Sequence, residues 1–377
     1  MKATATPQRK VFWSVPDIGE DERQAVLDTL ATGWLGMGPK TKEFEAALSK
    51  YTGAKHSIVV NNGTSALTTA LLALGIAPGD EVLIPTYTFV ATASSAIALG
   101  AKPVLVDCDP ETFNVGPKEI EAALAAHPKA KALVFVDVAG LPCDIDAIRA
   151  VAAKHHLLLL EDAAEAFAGA YRTTRLGNFD HLTIFSFHIA KQVTTVEGGA
   201  IQTNRDDIVD RLRLVRSHGE GKEKYVHVEL GLNFRPTDIQ SAIGLAQLKK
   251  ADHYIELRDR IAKRYMHALG DHLTFQRVPP YATRPTWMIL MVLAASKAER
   301  DALNAHLNQH GVDTRIPWPP IHRQPYFRAR FGAVDCPVAD RTFDRALSLP
   351  IGNAMTEEDV DYVIETVRAY YAAAGRP

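Results

Sequence analysis

Between about residues 55 and 205, short apolar runs alternate with Ala-rich segments that have helical spacing. Near-continuous Val, Ile and Leu in runs separated by helices predict a mostly parallel sheet covered on both faces. We expect strands at 57–60, 81–85, 103–107, 132–136, 157–161, 182–187 and 200–203. Because such sheets bind ligands at the carboxyl ends of their strands, chemically active residues are expected just after each run.

The pattern changes after Pro236, where long helical stretches replace the strand–helix alternation. The predicted elements are a helix over 238–269 with a break near Ala251, a strand over 287–293, a helix over 299–310 and a last helix capped by Thr356. These predict a large α/β domain over 10–245 and a smaller α+β domain over 246–377.

Composition excludes several classes of protein. Lys and Arg number 42 against 44 Asp and Glu, so there is no basic excess of the kind that non-specific nucleic-acid binding needs. The longest apolar run, 288–295, is too short to span a membrane, and the first ten residues lack the apolar core of a signal peptide. The three cysteines are scattered, and the pair His155-His156 has no acid cluster beside it. We therefore expect a cytoplasmic protein that binds no nucleic acid, membrane or metal.

A first candidate site is the sequence Asn62-Gly63-Thr64-Ser65 between a strand and a helix. Backbone N–H groups, two hydroxyls and the positive end of a helix dipole can hold a phosphate there. A plain helix N-cap with Gly in a turn explains the same residues. Elsewhere the chain has no Gly-rich loop of the Walker or dinucleotide type, which disfavours nucleoside-triphosphate and NAD enzymes.

Two further candidates follow other strands. Asp162 ends the apolar run 157–160 and can pair with a protonated ring nitrogen, although an Asp here can also simply cap a helix. Lys191 follows Ser186 and precedes Gly198-Gly199. A desolvated lysine can form a Schiff base with an aldehyde. The alternative is a solvated surface residue, as most lysines are. A phosphate cradle, an acid for a ring nitrogen and a Schiff-base lysine together predict a pyridoxal 5′-phosphate site.

The sequence resembles the DegT/DnrJ/EryC1/StrS family of sugar aminotransferases, within the fold-type I pyridoxal-phosphate group. The resemblance covers nearly the whole chain. Its blocks are Gly33-Trp34-Leu35, residues 62–67, residues 85–92, residues 161–164, Ser186 to Lys191 with residues 197–199, residues 231–235, residues 240–244, His322 and residues 348–350. It implies a seven-stranded, mostly parallel sheet in the large domain and a smaller α+β C-terminal domain.

The resemblance also implies the roles of the cofactor site. Lys191 looks like the Schiff-base lysine that also moves the proton between substrate and cofactor, and Asp162 looks like the partner of the pyridine nitrogen. Phe89 resembles the ring that stacks on the cofactor. The residues that resemble phosphate ligands are Gly63, Thr64, Ser65 and Ser186.

Other implied roles involve a second subunit and the substrates. Asn233 resembles the asparagine that reaches the cofactor phosphate of the neighbouring subunit, which implies a homodimer with composite active sites. Arg235 is the candidate for the carboxylate of the amino donor, since Arg suits two-point recognition. The remaining candidates for the substrate pocket are Trp34, Tyr87, Trp287 and His322.

The chain departs from the usual family pattern at two places. Glu165 stands where Gln is usual, near the cofactor's ring oxygen, so that either the carboxyl group or the phenol there must carry a proton. GDP-perosamine synthases resemble this chain in that Glu and in an aromatic–Met pair such as Trp287-Met288. Residues 136–140 read Val-Asp-Val-Ala-Gly, where many members have a His and an aromatic residue.

The function that the resemblance implies is transfer of the amino group of L-glutamate to a keto sugar, with a nucleotide-linked 4-keto-6-deoxyhexose expected, as in GDP-perosamine synthases. One alternative is a pyridoxal-phosphate-dependent sugar dehydratase, but those enzymes are expected to carry His in place of Lys191. An inosose (cyclitol) aminotransferase fits the same motifs. A non-catalytic sensor on this fold is a further alternative, against which the intact Asp162 and Lys191 argue.

Overall fold

The computed structural model describes residues 9–375 and contains a seven-stranded sheet at its centre. In chain order the strands are β1 (His56–Val60), β2 (Glu81–Pro85), β3 (Lys102–Val106), β4 (Ala132–Val136), β5 (Leu158–Asp162), β6 (Ala170–Tyr171), β7 (Thr174–Arg175), β8 (Leu182–Ser186), β9 (Gly199–Thr203), β10 (Thr274–Phe275), β11 (Leu290–Leu293) and β12 (Ala346–Leu349). The central sheet has the order β1-β9-β8-β5-β4-β2-β3. Only β9 runs against its neighbours, so the mostly parallel sheet expected from the sequence is confirmed.

Two helices precede β1, and the others lie between and after the strands. In chain order they are α1 (Glu20–Thr32), α2 (Pro39–Thr52), α3 (Gly63–Ala73), α4 (Ala91–Ala98), α5 (Pro117–Ala126), α6 (Ile145–His155), α7 (Val209–Arg216), α8 (Asp238–Leu248), α9 (Ala251–Leu269), α10 (Lys297–Gln309), α11 (Pro325–Phe331), α12 (Pro337–Arg345) and α13 (Glu357–Ala373). The expected break near Ala251 separates α8 from α9, and Thr356 caps α13 as expected.

Both faces of the central sheet are buried, which explains its continuous apolar strands. Within β4, Leu133 and Phe135 belong to one buried cluster, and Ala132 and Val134 belong to the cluster on the opposite face. Alternation of side chains along a strand produces this division, and helices cover each face. The parallel strands consequently end at one edge, where β1, β2, β4, β5 and β8 bring their following residues together.

The second core surrounds the three-stranded antiparallel sheet β10-β11-β12, together with α9, α10 and α13. This is the α+β architecture expected for the C-terminal part. Val11 also packs in this core and pairs with Val312, so the start of the described chain lies with the C-terminal sheet.

The expected boundary between residues 245 and 246 falls inside α8, whose last residue is Leu248. The chain passes between the two cores along α9, because Ala251 and Ile255 pack in the large core while Ile261 and Tyr265 pack in the small one. The division into two domains stays a prediction, with α9 as the connecting element.

No helix among residues 9–375 combines the length and the apolar composition needed to cross a membrane. In the same residues there is no group of three or more His, Cys, Asp or Glu side chains arranged to hold a metal ion. All three cysteines are buried and unpaired.

Candidate active site

A cavity of about 590 Å³ opens at the edge where the parallel strands end. One part of its lining, here called the floor, is formed by residues that follow or end the strands β1, β5 and β8: Gly63, Thr64, Asp162, Ser186 and Lys191. A second part, here called the wall, is formed by Trp13, Met288, Ile289 and Trp318. The cavity therefore brings the three candidate features of the sequence to one place.

Lys191 lies in the loop between β8 and β9, in a turn whose backbone N–H donates to the carbonyl of His188 at 2.9 Å. Its side chain is 13% exposed, and Nζ lies 3.7 Å from Oε1 of Glu165. The second carboxylate oxygen of Glu165 accepts the backbone N–H of Ala139 at 2.8 Å. A largely shielded lysine that lines the cavity beside a carboxylate fits a nucleophile better than a solvated surface residue.

Asp162 is the last residue of β5, and its carboxyl group faces the cavity. Thr92 donates its hydroxyl to Oδ2 at 2.8 Å, and the backbone N–H of Ala164 donates to Oδ1 at 3.2 Å. Burial raises the pKa of Asp162, while those two donors and Lys191 lower it. A cation that enters the cavity and pairs with this carboxylate would relieve the cost of its burial.

The start of α3 forms the anion-binding part of the floor. Asn62 is the N-cap, and its Oδ1 accepts the backbone N–H of Ser65 at 2.8 Å. The plain N-cap explanation is therefore correct for Asn62. It leaves the first N–H groups of α3 and the hydroxyl of Thr64 beside the cavity.

Gly63 is required by this close packing. A Cβ atom at Gly63 would lie 3.0 Å from Cβ of Ser186 and 3.2 Å from its hydroxyl oxygen. The end of β8 thus closes against the start of α3, and both present polar groups to the same space. This is a cradle that a larger side chain would fill.

The aromatic part of the cavity lies at the junction of floor and wall. Phe89 is 57% exposed and faces the cavity, in an edge-on contact with Trp318 whose ring centroids are 6.3 Å apart. Trp318 belongs to the Pro-rich segment 316–322. Its indole N–H is buried and has no hydrogen-bond partner among the residues that the structure describes.

Two expected substrate residues are buried away from the cavity, which corrects the expectation that they line it. Trp287 is 3% exposed and packs in the core around β11, with its indole N–H donating to Asp259 at 3.1 Å. Its φ of +49° turns its side chain into that core, and the next residue, Met288, faces the cavity instead. Tyr87 is fully buried, and its hydroxyl contacts the sulfur of Met291 at 3.5 Å.

His322 is also buried, so it does not line the cavity as expected. Its Nδ1 shares a hydrogen bond of 2.7 Å with the hydroxyl of Thr86, and Nε2 lies 3.0 Å from Oδ1 of Asp340. These bonds connect the Pro-rich segment to the residue after β2 and to α12. The residue of that segment that reaches the cavity is Trp318, four positions earlier.

Three other candidates lie outside this chain's cavity. Asn233 and Trp34 are exposed, and Arg235 is half-buried. Phe234, between Asn233 and Arg235, does line the cavity, so the segment passes along its edge. The roles expected of Asn233, Trp34 and Arg235 stay predictions.

Several residues of the cavity were not singled out by the sequence. Thr92 is one helical turn after Phe89, and only its position in the motif of residues 85–92 could have indicated it. Trp13, Ile289 and Trp318 come from segments remote from the strand ends, and no local pattern marks them.

The described residues fit a cofactor that combines an anionic group, a ring nitrogen and an aldehyde. The cradle at Gly63 and Ser186 suits a phosphate, the buried carboxyl group of Asp162 suits a protonated ring nitrogen, and Lys191 suits the aldehyde. Such a site on a parallel sheet defines a pyridoxal-phosphate-dependent enzyme. When bound, the cofactor supplies an electron sink for the substrate's reacting carbon.

Comparison with known proteins gives the particular family. The family model of the DegT/DnrJ/EryC1/StrS aminotransferases matches residues 16–368. The GDP-perosamine synthase of Caulobacter vibrioides is 39% identical, with 94% of this chain and 96% of that protein covered. The spore coat polysaccharide biosynthesis protein SpsC of Bacillus subtilis is 38% identical over the same shares of the two chains.

Among solved structures, the PLP form of the putative sugar aminotransferase Spr1654 from Streptococcus pneumoniae superposes with a TM-score of 0.91 at 28% identity. The match covers 97% of this chain and 99% of that one. The chain belongs to the DegT/DnrJ/EryC1/StrS aminotransferase family. This confirms the expected fold class, the expected class of enzyme and the pyridoxal 5′-phosphate cofactor.

Proposed function

We propose that this protein transfers the amino group of L-glutamate to a nucleotide-linked 4-keto-6-deoxyhexose, in the manner of a GDP-perosamine synthase. The observation that carries the proposal is the floor, where Lys191, Asp162 and the start of α3 face one cavity. The identity of 39% to a GDP-perosamine synthase supports the choice of sugar.

The residues of the floor, together with Ser65 and Phe89, divide the tasks of the site in this proposal. Lys191 would bind the aldehyde of the cofactor and, as a free amine, would carry the proton between the two reacting carbons. Asp162 would hold a proton on the ring nitrogen, and Phe89 would contact the ring. Gly63, Thr64, Ser65 and Ser186 hold the phosphate through backbone N–H and hydroxyl groups.

The active unit is proposed to be a homodimer. Among the described residues that line the cavity, Lys191 is the one lysine or arginine, and a net charge of −2 gives no general attraction for an anionic sugar nucleotide. The segment 217–235 carries further cations and exposes Tyr225, Val228 and Leu230 at 76%, 63% and 61%. Such exposed apolar side chains fit burial against a second copy, in which Asn233 of the partner subunit completes each site. A cytoplasmic location stays a prediction.

The substrates are tested with a panel of keto sugars in the presence of L-glutamate. Mass spectrometry detects amination, and 2-oxoglutarate is measured as the co-product. The expected result is equal formation of 2-oxoglutarate and of an amino sugar from a GDP-linked 4-keto-6-deoxyhexose. If the enzyme turned over only an unlinked cyclitol ketone, the proposed nucleotide-sugar substrate would be wrong. If it released ammonia and removed a sugar hydroxyl, the reaction would be dehydration and not transamination.

The composite site is tested by mixing two inactive variants, Lys191→Ala and Asn233→Ala. In a mixed dimer, one site has Lys191 together with an intact Asn233 of the partner subunit. Mixing equal amounts after reversible dissociation should therefore restore up to about a quarter of the wild-type activity. Activity that stays at the level of the separate variants would contradict the composite arrangement.

A further inference from the structure

Lys191 and Glu165 form a pair of opposite charges in the lining of the cavity, and both side chains are largely shielded from solvent. Nζ and Oε1 are 3.7 Å apart, and the side chains are 13% and 9% exposed. Removing both charges from water is costly, and an attraction across 3.7 Å without a short hydrogen bond offsets this cost only in part. A transfer of the proton from the ammonium group to the carboxylate would remove both charges at once.

The protein fixes the carboxyl group of Glu165 in a defined position. Its Oε2 accepts the N–H of Ala139, a non-glycine residue with φ +62°. The side chain of Asn114 makes two hydrogen bonds to this turn. Its Oδ1 accepts the N–H of Val138 at 2.9 Å, and its Nδ2 donates to the carbonyl of Leu141 at 2.8 Å. With one oxygen held by a backbone donor, the other is directed at the lysine.

The surroundings favour a proton on Glu165. Burial is the largest cause that raises the pKa of Glu165, and the neighbouring carboxyl group of Asp162 raises it further. Lys191 and the N–H of Ala139 act in the opposite direction without cancelling the rise. Facing groups come from three elements: Asp162 at the end of β5, Lys191 after β8, and the buried hydroxyl of Tyr87 after β2.

We propose that Glu165 accepts a proton from the Lys191 ammonium group and thereby supplies the neutral amine that condenses with the cofactor aldehyde. The bond that forms joins Nζ to the aldehyde carbon. The aldehyde oxygen leaves as water with the two remaining amine protons, and the transferred proton stays on Glu165. The pair has no net charge before or after the reaction, so the buried site need not exchange a proton with solvent.

The inference rests on the proposed role of Lys191 and is independent of the sugar. In a Glu165→Gln variant the proton of Lys191 must leave to solvent. For any amine that exchanges its proton with solvent, the neutral fraction rises by up to about tenfold per pH unit. In the wild-type chain Lys191 and Glu165 share one proton, and the neutral amine forms when Glu165 takes that proton. As long as the pair holds one proton in total, the fraction of Lys191 that is neutral does not depend on pH.

The test measures how fast the full-length chain, freed of cofactor, develops the visible absorption band after pyridoxal 5′-phosphate is added. The rate constant of each variant is divided by that of the wild type at every pH, which removes the titration of the free aldehyde. For Glu165→Gln this ratio should rise with pH, by up to about tenfold per unit. A ratio that stays constant with pH would overturn the proposal, because a purely structural role lowers the rate equally at each pH.

Two further variants keep the test decisive. Glu165→Asp retains a proton acceptor. The ratio of its rate constant to that of the wild type should therefore stay constant with pH, even if the rate constant itself is lower. A ratio that rises with pH would overturn the proposal. The control variant is Glu197→Gln, which removes another carboxyl group that lines the cavity. The side chain of Glu197 is 55% exposed and faces His188. The ratio of the rate constant of this variant to that of the wild type should also stay constant with pH. Band formation by Lys191→Ala would instead disprove the assignment of the lysine itself.

Discussion

The floor and the wall of the cavity are built in opposite ways. The floor consists of residues that end or follow strands of one sheet, and its carboxyl group at Asp162 accepts a hydrogen bond from Thr92. The wall consists of apolar and aromatic side chains that arrive from Trp13, from the turn at Met288 and from the Pro-rich segment carrying Trp318. From this difference we propose that the floor performs the chemistry common to all substrates and that the wall determines which sugar enters.

The largest effect is expected at Lys191 in the floor. Lys191→Ala removes both the amine and the proton carrier, so the amination rate should fall by about a thousandfold or more with every amino donor and every sugar. Steady-state assays with two sugars measure this. A loss confined to one sugar would mean that the floor also selects substrates, which would contradict the proposed division of tasks between floor and wall.

The next effect is expected at Asp162. Its carboxylate pairs with a cation on the ring, and an opposite charge at close range shifts a pKa by about one to three units. Asp162→Asn should therefore weaken cofactor binding by about ten- to a thousandfold, measured by equilibrium titration with pyridoxal 5′-phosphate. The control is Asp180→Asn, at a side chain that is 74% exposed, and it should bind normally.

A smaller and selective effect is expected at Trp318 in the wall. Trp318→Ala removes an aromatic surface worth about 1.5 kcal/mol of contact, so KM for the keto sugar should rise about tenfold. The half-reaction with L-glutamate, followed by bleaching of the visible band, should proceed at its normal rate. Trp318→Phe keeps the ring but lacks the unpartnered N–H, so any difference between the two variants measures that donor. Equal losses in both half-reactions would contradict the division of tasks.

The smallest effect is expected at His322, which acts through Trp318. His322→Ala removes the bonds to Thr86 and Asp340 that fasten the Pro-rich segment, and a lost hydrogen bond costs about 1 kcal/mol. KM for the sugar should rise by about fivefold or less, with little change in kcat. In the double variant Trp318→Ala/His322→Ala, the rise should not exceed that of Trp318→Ala alone. Additive losses would indicate that His322 has a separate contact with the substrate.

The sequence predicted the floor because local patterns mark it. Apolar runs gave the strands, and residues that follow them, such as Asp162 and Lys191, had to meet at one edge of a parallel sheet. The wall could not be predicted in this way, since its residues come from distant segments whose approach depends on tertiary packing. At residues 287–293 the expected strand begins only at Leu290, and Met288 lines the cavity where Trp287 was expected to do so.

The central claim is that chemistry takes place on the floor at Lys191. Reducing the cofactor-loaded protein with sodium borohydride fixes the cofactor to its lysine, and peptide mass spectrometry then identifies that residue. The expected result is a single modified peptide that carries the cofactor on Lys191. Modification of another lysine, with Lys191 unmodified, would contradict this assignment and the role of the floor.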